Sequence, residues 1–170
     1  MTSKVGDFNM NEETNSAQEI LELREQIIKY EKVIEDLSAP IIPSIVPETI
    51  LVPLTGALSV GRFIHIQEKI VQRISDNNIL TVVFDFTDIS TLAVEENMGY
   101  ELLSEKINEL VSVLQLMGTE TVFVGFSPEF AQNLILSNVS NFNQIRAFTN
   151  FREGLRYLLD QKGMEIVYKK

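Results

Sequence analysis

The sequence predicts an α/β fold, with an open and mainly parallel sheet whose strands alternate with helices. The run at residues 79–86 is apolar at almost every position, which is typical of a strand covered on both faces, and residues 119–126 predict another buried strand. Helical patterns separate these runs with short connections, as in other parallel sheets. A hydrophobic fraction of 45% is enough to build a buried core.

The amino-terminal region divides into a tail and a helix. Residues 1–17 are polar and aperiodic, which predicts a disordered tail. Residues 18–39 predict a linker helix that ends at Pro40. Its apolar residues alternate at spacings of three and four and form a heptad seam: Ile20, Leu23, Ile27, Tyr30, Ile34 and Leu37.

This seam indicates a two-stranded parallel coiled coil, because isoleucine occupies every a position. Glu19 and Arg24 then fall at g and e positions, where opposite charges pair across a parallel dimer. The alternative is an amphipathic helix packed on its own domain. The seam therefore predicts a homodimer, with the packed helix as the competing interpretation.

Residues 40–163 predict the α/β domain, and residues 164–170 a carboxyl-terminal tail. The strands are expected at 40–46, 50–56, 79–86, 119–126 and 144–148, the first as an edge strand limited by prolines. The helices are expected at 59–77, 93–117, 127–138 and 150–163. Ser127 as N-cap and Pro128 at the first helical position mark one helix start.

The longest helix is expected to run without a break from Ala93 to Met117, where Gly118 stops it. Gly99 should be tolerated inside it at a cost of about 1 kcal/mol. Its glutamates, including Glu95 and Glu96, predict a solvated face. The expected buried stripe is Leu102, Leu103, Ile107, Leu110, Val111 and Leu114.

Composition excludes several classes of function. A net charge of −10 argues against electrostatic binding of nucleic acid or of an anionic membrane. The absence of cysteine excludes thiol catalysis. The single histidine, His65, is expected to face solvent, so a zinc site would need carboxylates alone or nearly so, which is unusual. Glycine-rich phosphate-binding motifs and the nucleophile elbow are missing. We therefore predict no enzyme, no cofactor and no metal site. No apolar run approaches the ~20 residues of a membrane span, so a cytoplasmic location is expected.

The polar turn after residues 79–86 is the main candidate for function. Asp85 and Asp88 could hold Mg²⁺, but an aspartate in a turn more often bonds its own backbone, which is the interpretation favoured for Asp88. For Ser90 and Thr91 the favoured interpretation is a helix start, with either residue as the N-cap. The second interpretation is a phosphorylation site.

Three stretches resemble a known family: "VIEDLSAPIIPSIVPETILVPLTGAL", "VVFDFTDIS" and "LQLMGTETVFVGFSPEFAQNLI". They are similar to the RsbR-type stressosome co-antagonists and their STAS domain, the fold of anti-sigma-factor antagonists, over about residues 33 to 160. The resemblance implies a STAS fold, with a mostly parallel sheet of roughly four or five strands and helices on one side. It also implies a non-enzymatic protein of large assemblies, with STAS paralogues and a switch serine/threonine kinase as partners.

The sequence departs from this family at the phosphorylation sites. The spacing between "DFT" and "LMG" is longer than the family's by about seven residues, or two helical turns. A heptad insertion would keep the helix face. The family's first phosphosite then aligns with Ala93–Val94 when counted forward from Asp85, or with Tyr100–Glu101 when counted back from Gly118. The second phosphosite aligns with Asn133. Ser90 and Thr91 are the nearest hydroxyl residues in the loop. Only the tail precedes the linker helix, where the family has a sensory domain. We call Ser90, Thr91, Glu101 and Asn133 the switch surface.

These observations favour a non-catalytic STAS scaffold of a stressosome-like, partner-switching stress response that controls an alternative sigma factor. One alternative is an anti-sigma-factor antagonist phosphorylated at Ser90 or Thr91. Another is a STAS module that binds a small ligand or nucleotide through the loops at 85–91 and 125–127.

Overall fold

The computed structural model describes residues 4–37, 40–137 and 145–167, with side chains from 16–34 and throughout the two later ranges. The chain divides into two compact units, Met1–Leu37 and Ser38–Lys170. The first unit is one helix, α1, at Lys4–Leu37.

Helix α1 starts earlier than the sequence predicts. The tail expected at residues 1–17 is wrong for residues 4–17, which are helical; residues 1–3 lie outside the described part. The physical reason is that no proline interrupts this stretch, and extending an existing helix costs far less than nucleating one. The predicted helix at 18–39 is present to Leu37, and the next two residues are not described.

The second unit contains a five-stranded sheet in the order β1-β2-β3-β4-β5. Strand β1 (Ile42–Pro43) is antiparallel to β2 (Thr49–Thr55). Strands β2, β3 (Thr81–Asp88), β4 (Glu120–Val124) and β5 (Arg146–Phe148) are parallel neighbours. The predicted mixed, mostly parallel sheet is confirmed.

Among the described residues 40–137 and 145–167, five helices connect and follow the strands. They are α2 at Val60–Asp76, α3 at Thr91–Asn97, α4 at Tyr100–Leu116, α5 at Pro128–Leu136 and α6 at Phe151–Gln161. The N-caps of α2, α3, α5 and α6 are Ser59, Ser90, Ser127 and Asn150, whose side chains each accept a hydrogen bond from a backbone N–H three residues later. Serine and asparagine are the residues that satisfy these otherwise unpaired donors.

The sheet is covered on both faces. Phe84 and Phe86 of β3 lie in a large apolar cluster with residues of α2, α4 and α5. Val83, the residue before Phe84, lies in a second cluster with Leu158 and Leu159 of α6. The expectation of helices on one side is therefore wrong. Successive side chains of a strand point to opposite faces, so a run apolar at every position needs cover on both.

The expected single helix from Ala93 to Met117 is also wrong, because α3 ends at Asn97 and α4 begins at Tyr100. Gly99 joins them with φ 76° and ψ 152°, a conformation glycine adopts without steric cost. Val94 and Tyr100 are both buried, yet in one continuous helix they would lie about 120° apart. The break lets both side chains enter the core.

The additional residues thus form a separate helix of seven residues, and the heptad-insertion argument fails. Within α4, the predicted stripe is confirmed at Leu103, Ile107, Leu110 and Leu114, which are buried. Leu102 and Val111 are only half-buried, and the glutamate face is exposed as expected.

The packing of α6 on the sheet depends on Gly154. A Cβ at this position would lie 2.5 Å from Cγ1 of Val124. Gly154→Ala should therefore move α6 and lower the free energy of unfolding by about 1–3 kcal/mol, as overpacking does. Chemical denaturation followed by circular dichroism measures this change.

Gly61→Ala is the matched control, because nothing lies within 4 Å of a Cβ at that position of α2. It should leave stability unchanged or raise it by up to about 1 kcal/mol. Equal stability of the two variants would contradict the close packing of α6.

Candidate functional site

The turn after β3 is held by Asp85. Its Oδ1 accepts hydrogen bonds from the Thr87 backbone N–H at 2.9 Å and from the Thr87 hydroxyl at 2.5 Å. The sequence predicted that Asp88 would accept a hydrogen bond from the backbone of its own turn, but in the structure the aspartate that accepts this bond is Asp85. Gly125, after β4, approaches so closely that a Cβ there would lie 2.4 Å from the Thr87 nitrogen. These contacts fix the carboxyl ends of the two central strands against each other.

Ser90 is the N-cap of α3, which confirms the first interpretation of the hydroxyl-rich turn. Its Oγ accepts a hydrogen bond of 3.1 Å from the Ala93 N–H, and the residue is exposed. Thr91, the first residue of α3, is half-buried. The Ser90 hydroxyl can therefore serve as a cap and still be reached from solvent.

Tyr100 lies where α3, α4 and α5 meet. Its ring packs edge-on against Phe130 of α5, with centroids 5.5 Å apart. Burial raises the pKa of the Tyr100 phenol, the carboxylates of Glu95 and Glu129 raise it further, and the Asn133 side chain acts in the opposite direction. The Tyr100 hydroxyl is buried and has no well-aligned hydrogen-bond partner within the described residues. The Asn133 side chain therefore lies near the phenol but makes no aligned hydrogen bond with it.

The structure brings together only part of the predicted switch surface. Glu101 is exposed in the first turn of α4, next to Tyr100, and half-buried Asn133 is on the adjoining α5. Ser90 and Thr91 are at the other end of α3, a helix about 10 Å long. Sequence analysis missed Tyr100 as the centre of this region. The signal was its spacing of three and seven residues from Leu103 and Ile107.

A groove of about 760 Å³ lies beside the same turn. Asp85, Thr87 and Asp88 line one side, and Arg152 and Arg156 of α6 line the other. Among the described residues, no group of three or more acidic or histidine side chains is arranged to hold a metal ion. His65, expected to face solvent, is half-buried on α2. The groove lies beside the loop at 85–91, where the ligand-binding alternative would operate.

Helix α1 exposes its predicted seam. Ile20, Leu23, Ile27, Tyr30 and Ile34 are between 51% and 65% exposed. Leu37 lies in the helix, but its side chain is outside the described part. Exposed apolar residues in a regular stripe are unusual unless they bind a partner.

Comparison with known proteins identifies the fold. Solved structures with the same fold include an RsbS variant of Moorella thermoacetica, with a TM-score of 0.58 and 18% identity over 74% of this chain and 98% of that one. A component of the stressosome has a TM-score of 0.56 and 16% identity, over 74% of this chain and 100% of that one. The anti-sigma factor antagonist SpoIIAA in its unphosphorylated form has a TM-score of 0.53 and 16% identity, over 75% of this chain and 99% of that one. The chain has the STAS fold.

Proteins similar to the chain in sequence include two RsbT co-antagonist proteins of Bacillus subtilis (strain 168). RsbRB is 26% identical over 154 residues, which are 91% of this chain and 52% of the relative. RsbRD is 27% identical over 141 residues, 83% of this chain and 46% of the relative. The chain therefore spans about half the length of these relatives. No family model matches the sequence.

The predicted STAS fold and RsbR-type resemblance are thus confirmed, and these two relatives are named as co-antagonist proteins. Within the described residues, no helix combines the length and apolarity needed to cross a membrane. The switch-surface and dimer assignments stay predictions.

The environment of Tyr100 predicts an alkaline loss of stability. Because the folded pKa of the phenol is raised, its contribution is fully present below the unfolded value of about 10 and is lost as pH rises through the folded pKa. Tyr100→Phe should reduce the fall in unfolding free energy above pH 10, measured by urea denaturation across pH.

Tyr157→Phe is a useful comparison, because the pKa of Tyr157 is also raised, by burial first and then by its hydrogen bond to Glu120 on the opposite face of the sheet. Each substitution should remove a part of the alkaline loss. An unchanged pH profile in Tyr100→Phe would show that the phenol is not buried between the helices.

Proposed function

We propose that this chain is a non-catalytic, cytoplasmic STAS scaffold of a stressosome-like assembly, in a partner-switching pathway that controls an alternative sigma factor. The observation that supports this most is the match to RsbT co-antagonists over 83–91% of the chain, together with the STAS fold. Its partners are STAS paralogues, a switch serine/threonine kinase and a second copy of the chain.

The switch surface supports a specific behaviour. Glu101 supplies one fixed negative charge at a position where the family resemblance places a phosphorylatable residue, whereas a phosphate would supply nearly two, reversibly. Asn133, at the second position, has no hydroxyl. Such a chain assembles with its partners but is not switched at these positions. The competing interpretation is that Glu101 is one more solvated residue of α4.

Glu101→Thr and the wild-type protein, each incubated with a switch kinase from the same organism and ATP, separate these interpretations. Intact mass should show a phosphate gain only in the threonine variant, because only that variant has a serine or threonine hydroxyl at position 101. Equal gain in both proteins, mapped by fragmentation to Ser90 or Thr91, would contradict the unswitched scaffold.

A second candidate, the phosphorylatable antagonist, is favoured by the exposure of the Ser90 hydroxyl at the start of α3. A phosphate there would lie beside the backbone N–H donors at the start of α3 and would remodel the docking surface. If this candidate holds, Ser90→Ala should abolish the mass gain that the wild type shows, and Thr91→Val should not. Gain retained in Ser90→Ala and lost in Thr91→Val would assign the site to Thr91.

The groove beside Asp85 favours the third candidate, a module that binds a small ligand or nucleotide, since two arginines and three carboxylates offer charge of both signs there. A thermal shift series across nucleotides tests it. A concentration-dependent rise in Tm that Arg152→Ala removes would support the ligand module, and unchanged Tm values would remove it.

The proposed homodimer depends on the seam of α1. Ile27→Lys together with Ile34→Lys would place two charges in an apolar interface, where burial without a partner is costly. The mass measured by light scattering should fall to that of one chain, while the α/β domain keeps its circular dichroism and Tm.

Gln18→Lys with Glu22→Lys is the matched control, because these f and c positions lie on the side of α1 away from the seam. The control should keep the mass of the wild type. An unchanged mass in the seam variant would remove the coiled coil and favour a helix packed on its own domain.

A further inference from the structure

The chain reverses its direction at the end of α6. Gly163 has φ 62°, the left-handed conformation in which many helices end. The Met164 N–H donates a hydrogen bond of 2.8 Å to the Leu159 carbonyl, and the Gly163 N–H donates one of 3.2 Å to the Asp160 carbonyl. These are the two hydrogen bonds of a Schellman motif, which sets the residue after the glycine against the last turn of the helix. The segment at 164–167 therefore returns beside α6.

A groove of about 790 Å³ lies between this returning segment and one flank of α6. The α6 side consists of residues at spacings of three and four: Arg152, Leu155, Arg156 and Leu159. Met164 and Ile166 line the other side. Leu159 is buried, while Leu155 and Met164 are half-buried, so the groove has an apolar wall with two guanidinium groups at one end. The same two arginines also line the groove beside Asp85, so the two grooves adjoin.

The part of the sequence that comes next to this groove is Tyr168–Lys169–Lys170, which lies outside the described residues. In an extended chain, alternate side chains point the same way. Met164 and Ile166 both line the groove, whereas Val167 does not line it and is 75% exposed. Continuing this alternation directs Tyr168 to the groove, about 7 Å beyond Ile166. A tether this short gives the tyrosine a high effective concentration at the groove.

The chemistry of the two grooves fits an aromatic residue followed by lysines. Guanidinium groups stack on aromatic rings, and Arg146 already does so over the ring of Tyr157 on α6, at 5.3 Å from its centroid. Arg152 and Arg156 offer the same contact to a second tyrosine. Beyond these arginines, the groove beside Asp85 adds three carboxylates: Asp85, Asp88 and Glu153. Lysines that follow the tyrosine would meet opposite charge there.

We propose that residues 168–170 form an intramolecular strap along α6, with the Tyr168 ring in the groove against Leu155 and the two arginines, and with the lysines directed to the carboxylates beside Asp85. The docked strap covers Arg152 and Arg156, and its release exposes them. An anionic ligand in the groove beside Asp85 would therefore compete with the strap for the same guanidinium groups. The inference depends neither on the scaffold assignment nor on the dimer.

Cross-linking of the full chain tests the strap, because the sequence has no cysteine and a designed pair supplies the only thiols. Arg152→Cys with Lys170→Cys, treated with a short bismaleimide, should form an intrachain link about tenfold faster than Arg73→Cys with Lys170→Cys, because docking concentrates the two thiols. Arg73 is exposed on α2, which covers the other face of the sheet. Arg156→Cys with Lys170→Cys, which keeps Arg152, is a second pair with the same expectation.

Variants of Tyr168 in the first pair separate a docked strap from a tail that only lies nearby. Tyr168→Phe should keep the fast rate, since the ring makes the contact, and Tyr168→Ala should lower the rate to that of the control pair. Equal rates for these two variants, or control rates in both cysteine pairs, would overturn the strap. A link between two chains, seen as a doubled mass on a denaturing gel, would assign the groove to the tail of a second copy and overturn the intramolecular strap. Circular dichroism checks that every variant is folded.

Discussion

A chain of aromatic rings connects the sheet to the helices that form the switch surface. Phe86, near the carboxyl end of β3, contacts Phe126 at 5.2 Å and Phe130 at 5.6 Å between ring centroids. Phe130 in turn contacts Tyr100 at 5.5 Å. Because rings packed in this way bury large areas with a preferred geometry, they fix the start of α4 against α5. Glu101 and Asn133 keep their relative position only while this contact holds.

The extra helix α3 alters what this arrangement presents. Val94 is fully buried and anchors α3, while Glu95 and Glu96 face solvent. The start of α4 therefore has an acidic neighbour in α3. This arrangement supports an account in which the chain joins an assembly of STAS proteins but responds differently from its relatives to the same kinase.

Local signals in the sequence were sufficient for much of the fold. The Ser127 cap, the alternation of strands and helices, and the apolar run of β3 each depend on residues close in sequence, and each prediction was correct. The break at Gly99 and the place of Tyr100 depend on which side of a helix meets the core. The extent of α1 and the bond from Asp85 depend on propagation and on turn geometry. A single sequence does not contain that tertiary information in readable form.

The central claim is that the chain is an assembly scaffold, and co-assembly with an RsbS-type STAS paralogue from the same organism tests it most directly. Sedimentation velocity of each protein alone and of their mixture gives the answer in one experiment. The account predicts that the mixture contains both proteins in one particle much larger than either forms alone. Two boundaries with unchanged sedimentation coefficients would contradict it.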